Sequence, residues 1–400
     1  MQNITDYMKQ QALLCEKNDD ISVDLYSQYG VKRGLRDENG QGVLTGLTNI
    51  SEIKAFEYRN GEKCPCEGEL KYRGYNIRDL ISGSMNERFT FEEGAYLLLF
   101  GELPTREELD EIQAVFAKLM TFPTNFTRDV IMKAPSSDIM SSMTRSILTL
   151  GSYDEQKDNI EISNVLRQCM QLIATFPLMA AYGYHAYNHY EKDQSMYIHR
   201  PSSELSIAEN FLRVLRPDMK FTELEARALD VALLLHMEHG GGNNSTFTTR
   251  VVTSTGSDTY SVIAAAMSSL KGRKHGGANL MVMNMMDDIK AHVKDFADEE
   301  EIAAYLSKIL NKQAFDRQGL IYGMGHAVYS LSDPREQVFK GFVEQLAVAK
   351  GRDKDMLLYN NIEKIAPRII AEQRKIFKGV SPNVDFYSGF VYEMLNIPRE

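Results

Sequence analysis

The chain has 400 residues, 43% of them hydrophobic and 25% charged, and a formal net charge of −10. That length outgrows one hydrophobic core and predicts two domains, in a chain whose composition is that of a globular protein. The acidic balance excludes a broad nucleic-acid surface, which needs a basic face, but leaves room for a local basic pocket around a phosphorylated ligand.

In chain order, the first twenty residues, MQNITDYMKQQALLCEKNDD, hold no charged segment followed by an apolar run, so no secretory signal is read there. No apolar run approaches the ~20 residues of a membrane span, and the expected setting is the cytoplasm. The cysteines are Cys15, Cys64, Cys66 and Cys169. Cys64-Pro65-Cys66 has the look of half a metal site, but no second pair with ligand spacing follows, and Gly61 and Gly68 beside it suggest a surface turn. Reduced thiols without chemistry are expected.

A short extended piece is predicted over 68–75, between Gly68 and Gly74. Helical periodicity dominates the rest. A helix is predicted over 91–100. The next, over 105–120, opens with a capping box, Thr105 and Glu108, and sets Leu109, Ile112, Phe116 and Leu119 on one face. The same box recurs as Ser206 with Glu209, before Phe211 and Leu215, and as Thr222 with Glu225, before the apolar run from Leu229 to Leu235. Further helices are predicted at 261–270, 278–293, 299–312, 335–349 and 354–377. The reading is an all-α protein with one minor hairpin, free of internal repeats and low-complexity linkers.

Glycine-rich loops between the helices carry the unusual residues. They are His236-Met237-Glu238-His239 followed by three glycines, Lys274-His275-Gly276-Gly277-Ala278-Asn279, Gly323-Met324-Gly325-His326, and the glycine-free Pro382-Asn383-Val384-Asp385. Glycine lets backbone approach a ligand closely, and a helix N-terminus offers free N–H groups to an anion.

Three other chemistries fail on the residues. His236 and His239 have i, i+3 metal-ligand spacing, and His236-x-Glu238 imitates a zinc deaminase, but that signature needs later cysteines and none follows Cys169. His239-Gly240-Gly241-Gly242 imitates an esterase oxyanion loop, yet the chain has no Gly-x-Ser-x-Gly. Gly323-x-Gly325 lacks the third glycine and preceding strand of a dinucleotide fingerprint. Two histidines and an aspartate in such loops suit enolate chemistry. Taking a proton beside a thioester carbonyl needs a carboxylate base and a neutral donor to the developing oxyanion; attack on a ketone then needs a second donor. A dicarboxylic substrate needs cations, and the fork of Arg335, nine residues after His326, matches a carboxylate.

In order and spacing, LKYRGYNIRDL, FEEGAYLLLFGELPT, LLLHMEHGGGNNSTFTTRVV, LKGRKHGGAN, YGMGHAVYSLSDPRE and KGVSPNVDFYSG resemble the defining segments of the citrate synthase family, from about residue 45 to the end. The resemblance implies condensation of acetyl-CoA with oxaloacetate and water to citrate and CoA, without a cofactor or metal. Asp385 matches the base that removes a methyl proton, His275 the donor to the thioester oxygen, and His326 the histidine that polarises the ketone. His239 and Arg335 match oxaloacetate ligands, with Asn243 and Ser245 in support. Lys378 matches a lysine that meets CoA phosphate, and Leu320, Ile321, Gly323 and Gly325 match backbone around the CoA adenine and pantetheine. The family fold implies a large helical domain over 1–273, a small one over 274–390 and a return to the large domain from 391. It also implies substrate-driven closure and a homodimer.

Some features depart from the pattern. Ala327 and Ser330 stand where many members carry basic residues. The family continues beyond the position of Glu400 with two more arginines for the substrate carboxylates, so the 400-residue chain alone is expected to be weak. The alternatives are a 2-methylcitrate synthase, taking propionyl-CoA with the same machinery, and a non-catalytic homologue that binds CoA or a partner subunit. One methylene in an apolar pocket shifts selectivity by only about 1–3 kcal/mol.

Overall fold

The computed structural model describes residues 8, 11–13, 22–30, 47–84, 88–272, 275–325, 329, 331–374 and 379–400. The chain divides into two units, Met1–Leu47 and Thr48–Glu400. In the first, Val23–Gln28 forms a short helix, α1, whose Ser22 hydroxyl accepts from the Asp24 amide at 3.3 Å.

The second unit opens with an antiparallel hairpin, β1 (Ser51–Arg59) and β2 (Glu62–Tyr72), to which the two-residue strand β3 (Tyr75–Asn76) is added in the order β1-β2-β3. Its turn is Asn60-Gly61, at φ 54° and 83°, the positive values a two-residue hairpin loop demands. The hairpin is longer than the extended piece predicted over 68–75. A break in register between Lys54 and Phe56 interrupts the alternation of β1, and so hides that strand from a period-2 reading. Cys64-Pro65-Cys66 is therefore strand, not the surface turn expected, and both thiols are free.

Helices follow: α2 (Ile77–Ser82), α3 (Thr90–Phe100), α4 (Arg106–Leu119), a single π turn (Thr127–Ile131), α5 (Ile139–Gly151), α6 (Ile162–Glu191), α7 (Ile207–Leu215) and α8 (Glu223–Leu235). Next come α9 (Asn244–Thr253), α10 (Thr259–Leu270), α11 (Ala278–His292), α12 (Glu299–Leu310), α13 (Pro334–Ala349), α14 (Asp353–Arg374) and α15 (Asp385–Met394). The architecture is all-α with one small sheet, as the periodicity predicts. All three capping boxes form, at the starts of α4, α7 and α8. Among the described residues no helix is long and apolar enough to cross a membrane.

Two apolar clusters hold the second unit. One gathers Phe116, Phe126, Ile147, Leu178 and Val214 from α4 to α7. The other joins Leu70 and Tyr72 of β2 to Leu234 of α8, Ile289 of α11, Phe339 of α13, Tyr359 of α14 and Phe386 of α15. Met237 and Met324, from two of the loops singled out above, pack against the second.

Two buried carboxylates serve helix starts from a distance, Asp230 in place of a local cap at α3 and Glu92 beside the capping box of α7. Phe89, at the N-cap of α3, offers no side-chain acceptor; Asp230 of α8 instead accepts from the amides of Thr90 (3.0 Å) and Phe91 (2.9 Å). Glu92 of α3 accepts from the Ile207 amide at the start of α7 (2.8 Å), and its other oxygen has no hydrogen-bond partner. Burial, then the neighbouring Asp230 charge, pushes the Glu92 carboxyl up to about 8. Folded Glu92 thus keeps a proton that the unfolded chain releases from the ordinary carboxylate range upward. Stability falls as pH rises through that range to about 8 and is flat beyond. Glu92→Gln is expected to unfold at higher temperature than the parent near pH 8 and to differ little near pH 4, read by thermal unfolding at both. A parent advantage at pH 8 would contradict this.

Candidate active site

Helix α8 stops at Leu235, and His236 is its C-cap. The His236 Nδ1–H donates to the Ala232 carbonyl at 2.7 Å, which leaves the lone pair on Nε2. The chain then turns through Gly240 and Gly241, at φ 78° and 69°. The positive φ favours glycine at 240, and a Cβ there would sit 2.4 Å from Ile53 Cδ1, so the Ile53 side chain would have to shift. The His239 ring stands edge-on to Tyr329, with centroids 5.4 Å apart.

Asn243 caps α9, accepting from the Thr246 amide (2.8 Å) and the Ser245 hydroxyl (2.8 Å). Ser245 in turn reaches His275: its backbone N–H donates to Nε2 at 3.3 Å, and its Oγ lies 3.1 Å from the same nitrogen. A ring that accepts at Nε2 is neutral and carries its proton on Nδ1, a donor that brings no full charge. Burial also pushes the His275 value down, favouring that neutral form.

The segment ending at Gly325 is zipped to the one ending at Asp385. Gly325 N donates to Ser381 O (2.7 Å), Asn383 N to Gly323 O (2.9 Å) and Asn383 Nδ2 to Gly325 O (2.9 Å). Gly323 and Gly325 have φ 81° and 87°, and a Cβ on Gly323 would meet Phe386 Cα at 3.0 Å. Ile321 is buried and Leu320 exposed. Asp385 opens α15, and burial raises its carboxyl above the usual range against the opposing pull of His236 and Arg335. His236 feels the same environment, lowered by burial while Asp385 pulls it back. The two charges sense each other across the site, Asp385 half-buried and His236 open to solvent. Asn279 Nδ2 donates to the Ser388 hydroxyl, which ties the start of α11, just after His275, to α15.

Arg335 lies in the first turn of α13, nearly buried. Its fork meets Asp333 through Nε (3.1 Å) and Nη2 (2.7 Å), and Asp333 also caps α13 by accepting from Arg335 N (3.0 Å). Burial alone would lower the guanidinium value; the Asp333 carboxylate outweighs it and raises it.

Asp385 therefore lies within electrostatic reach of His236 and Arg335, and Ser245 is hydrogen-bonded to His275. Asn243 and Ser245, expected beside the substrate, are here engaged in capping α9 and holding His275. His326 and Lys378, with Ala327 and Ser330, lie outside the described residues. The sequence considered His236 only as a metal ligand; its role beside Asp385 depends on a tertiary approach that spacing does not encode. Among the described residues, no group of three or more His, Cys, Asp or Glu side chains is arranged to hold a metal.

The family model "Citrate synthase, C-terminal domain" matches residues 38–400. The citrate synthase of Synechocystis sp. is 33% identical over 356 residues, 88% of this chain and 81% of that protein. The 2-methylcitrate synthase of Shewanella oneidensis is 32% identical over 332 residues, 83% of this chain and 79% of that one. A solved citrate synthase from Thermoplasma acidophilum, in ternary complex with carboxymethyl coenzyme A and oxaloacetate, superposes with a TM-score of 0.70 at 26% identity, covering 90% of this chain and 84% of that one.

Proposed function

The chain belongs to the citrate synthase family, enzymes that convert an acyl group to an alkyl group on transfer, and from that premise we propose how its residues condense acetyl-CoA with oxaloacetate. What supports the reading is a half-buried carboxyl at Asp385 raised above its ordinary range, and a neutral imidazole at His275 whose Nε2 accepts from the Ser245 amide. Asp385 takes a methyl proton from the acyl-CoA, a task suited to a carboxylate whose value has moved toward neutrality. His275 Nδ1–H donates to the thioester oxygen as the enolate forms. Oxaloacetate lies against His239 and Arg335, with Asn243 and Ser245 nearby, and His326 polarises its ketone. The enolate carbon attacks that carbon, the new alkoxide takes a proton from His326, and water then cleaves the resulting citryl thioester, releasing citrate and CoA. Leu320, Ile321, Gly323, Gly325 and Lys378 line the CoA path. The enzyme works as a homodimer in the cytoplasm, as the family resemblance implies.

Incubating the chain with oxaloacetate and acetyl-CoA should release free thiol and form citrate in equal amounts. Propionyl-CoA is expected to react more slowly; a faster rate with it would assign the chain to 2-methylcitrate synthesis, the activity for which one relative is named. Dialysis against a chelator should leave turnover unchanged, because imidazole donors polarise both carbonyls. Loss of activity that zinc restores would overturn this mechanism.

A further inference from the structure

We propose that strand β2 is the positioning element of the oxaloacetate site, fixing the turn that carries His236 and His239 against the turn that carries Arg335. This rests on the reading above, in which those turns supply the substrate ligands. At one end of the strand, the fully buried Tyr72 places its hydroxyl 3.1 Å from Leu234 O and 3.0 Å from Glu238 O, while the Glu238 amide donates to it at 3.3 Å. One hydroxyl so closes the turn around His236. Ser51 of β1 adds a second pin, donating to Glu238 Oε1 (3.1 Å) and accepting from the Gly240 amide (3.1 Å).

Four residues back, roughly 13 Å along the strand and on the same face, Gly68 donates to Ser332 Oγ at 3.1 Å. A Cβ there would fall 2.3 Å from Ser332 O, 2.7 Å from Tyr329 Cδ1 and 2.9 Å from Pro334 Cδ. The strand therefore touches the segment leading into Arg335 along its backbone, and a methyl group would force them apart. Tyr329, held here, is the ring against which His239 stands. A rigid extended strand spaces the two turns, so the cation and the imidazole meet one substrate at a set separation. Neither Tyr72 nor Gly68 is placed against the substrate; both are positioning residues.

The test compares the full chain with Tyr72→Phe and Gly68→Ala, measuring kcat, KM for oxaloacetate, KM for acetyl-CoA, oxaloacetate binding by calorimetry and the thermal midpoint. Phenylalanine keeps the ring in its buried place and deletes only the hydroxyl. The expected result in both variants is an oxaloacetate KM raised on the order of 10–100-fold, with acetyl-CoA KM within about twofold, since a shift of about 1 Å in a positioned group can lose that much. Unchanged oxaloacetate KM and binding in Tyr72→Phe would overturn the proposal, as would equal losses for both substrates that follow the thermal midpoint. If Gly68→Ala does not fold, Tyr72→Phe decides alone. A parent chain that neither binds nor consumes oxaloacetate would overturn the underlying reading itself; an active parent with unaffected variants overturns only the role of the strand.

Discussion

Asp385→Ala is expected to lower citrate formation by roughly 10²–10⁴-fold while oxaloacetate binding is retained, since general-base help is worth about that much and the base is not a substrate ligand. The variant should also stop exchange of the acetyl-CoA methyl protons with deuterated water, a readout that isolates proton removal from bond formation. Its fold should survive. Burial raises the Asp385 carboxyl in the folded state, so the unfolded chain ionises first and stability is lost as pH rises through the ordinary carboxylate range to the raised folded value. Removing the group removes that loss, and the variant should be at least as heat-stable as the parent near pH 8. In the parent, the acid limb of kcat/KM should lie above the usual carboxylate range because the base must be ionised. Turnover in Asp385→Ala within a few-fold of the parent would remove the base from the mechanism.

Arg335→Ala is expected to act on both stability and substrate. Asp333 is fully buried and faces the Arg335 fork through two hydrogen bonds. Deleting one member of a buried pair leaves the other charge poorly compensated, which typically costs about 3–5 kcal/mol. A substrate carboxylate that loses a charge-assisted partner costs about 2–5 kcal/mol in affinity, so oxaloacetate KM should rise by one to several orders of magnitude. The two effects separate in the double variant Asp333→Asn/Arg335→Ala. It should recover much of the lost thermal stability, because no buried carboxylate remains, yet none of the oxaloacetate affinity. Recovery of both would mean that Arg335 serves the fold alone. Arg335→Lys keeps the charge without the fork and should fall between.

What the sequence made legible was whatever local chemistry enforces. The capping boxes at Thr105, Ser206 and Thr222 read directly because cap and partner are three residues apart. The longest helix, α6, does not. Its N-cap Glu161 makes no side-chain cap bond, Pro177 interrupts the pattern, and its buried residues, from Asn164 to Asn188, surround the helix instead of forming one stripe. Helix α9 buries none of its residues and reads as polar loop. In the candidate site, the sequence singled out His275 and Asp385 through their loops, and their proposed roles rest on the family segments that those loops resemble. His236 was not distinguishable as their neighbour, because Ala232 fixes its tautomer and Asp385 its electrostatics, and the latter lies far along the chain. The hairpin's full extent was hidden by one bulge.

The long-distance capping of α3 has a temporal consequence. The amides that open this helix are satisfied by Asp230, 140 positions later for Thr90 and 139 for Phe91. A chain emerging from the ribosome at about 5–20 residues per second therefore carries the start of α3 uncapped for roughly 7–28 seconds before its acceptor is even synthesised. Until α8 is made, the helix over residues 90–100 lacks a stabilisation of about 0.5–2 kcal/mol. The final capping of α3 by Asp230 therefore closes a loop of about 140 residues and is expected to be a late step of folding.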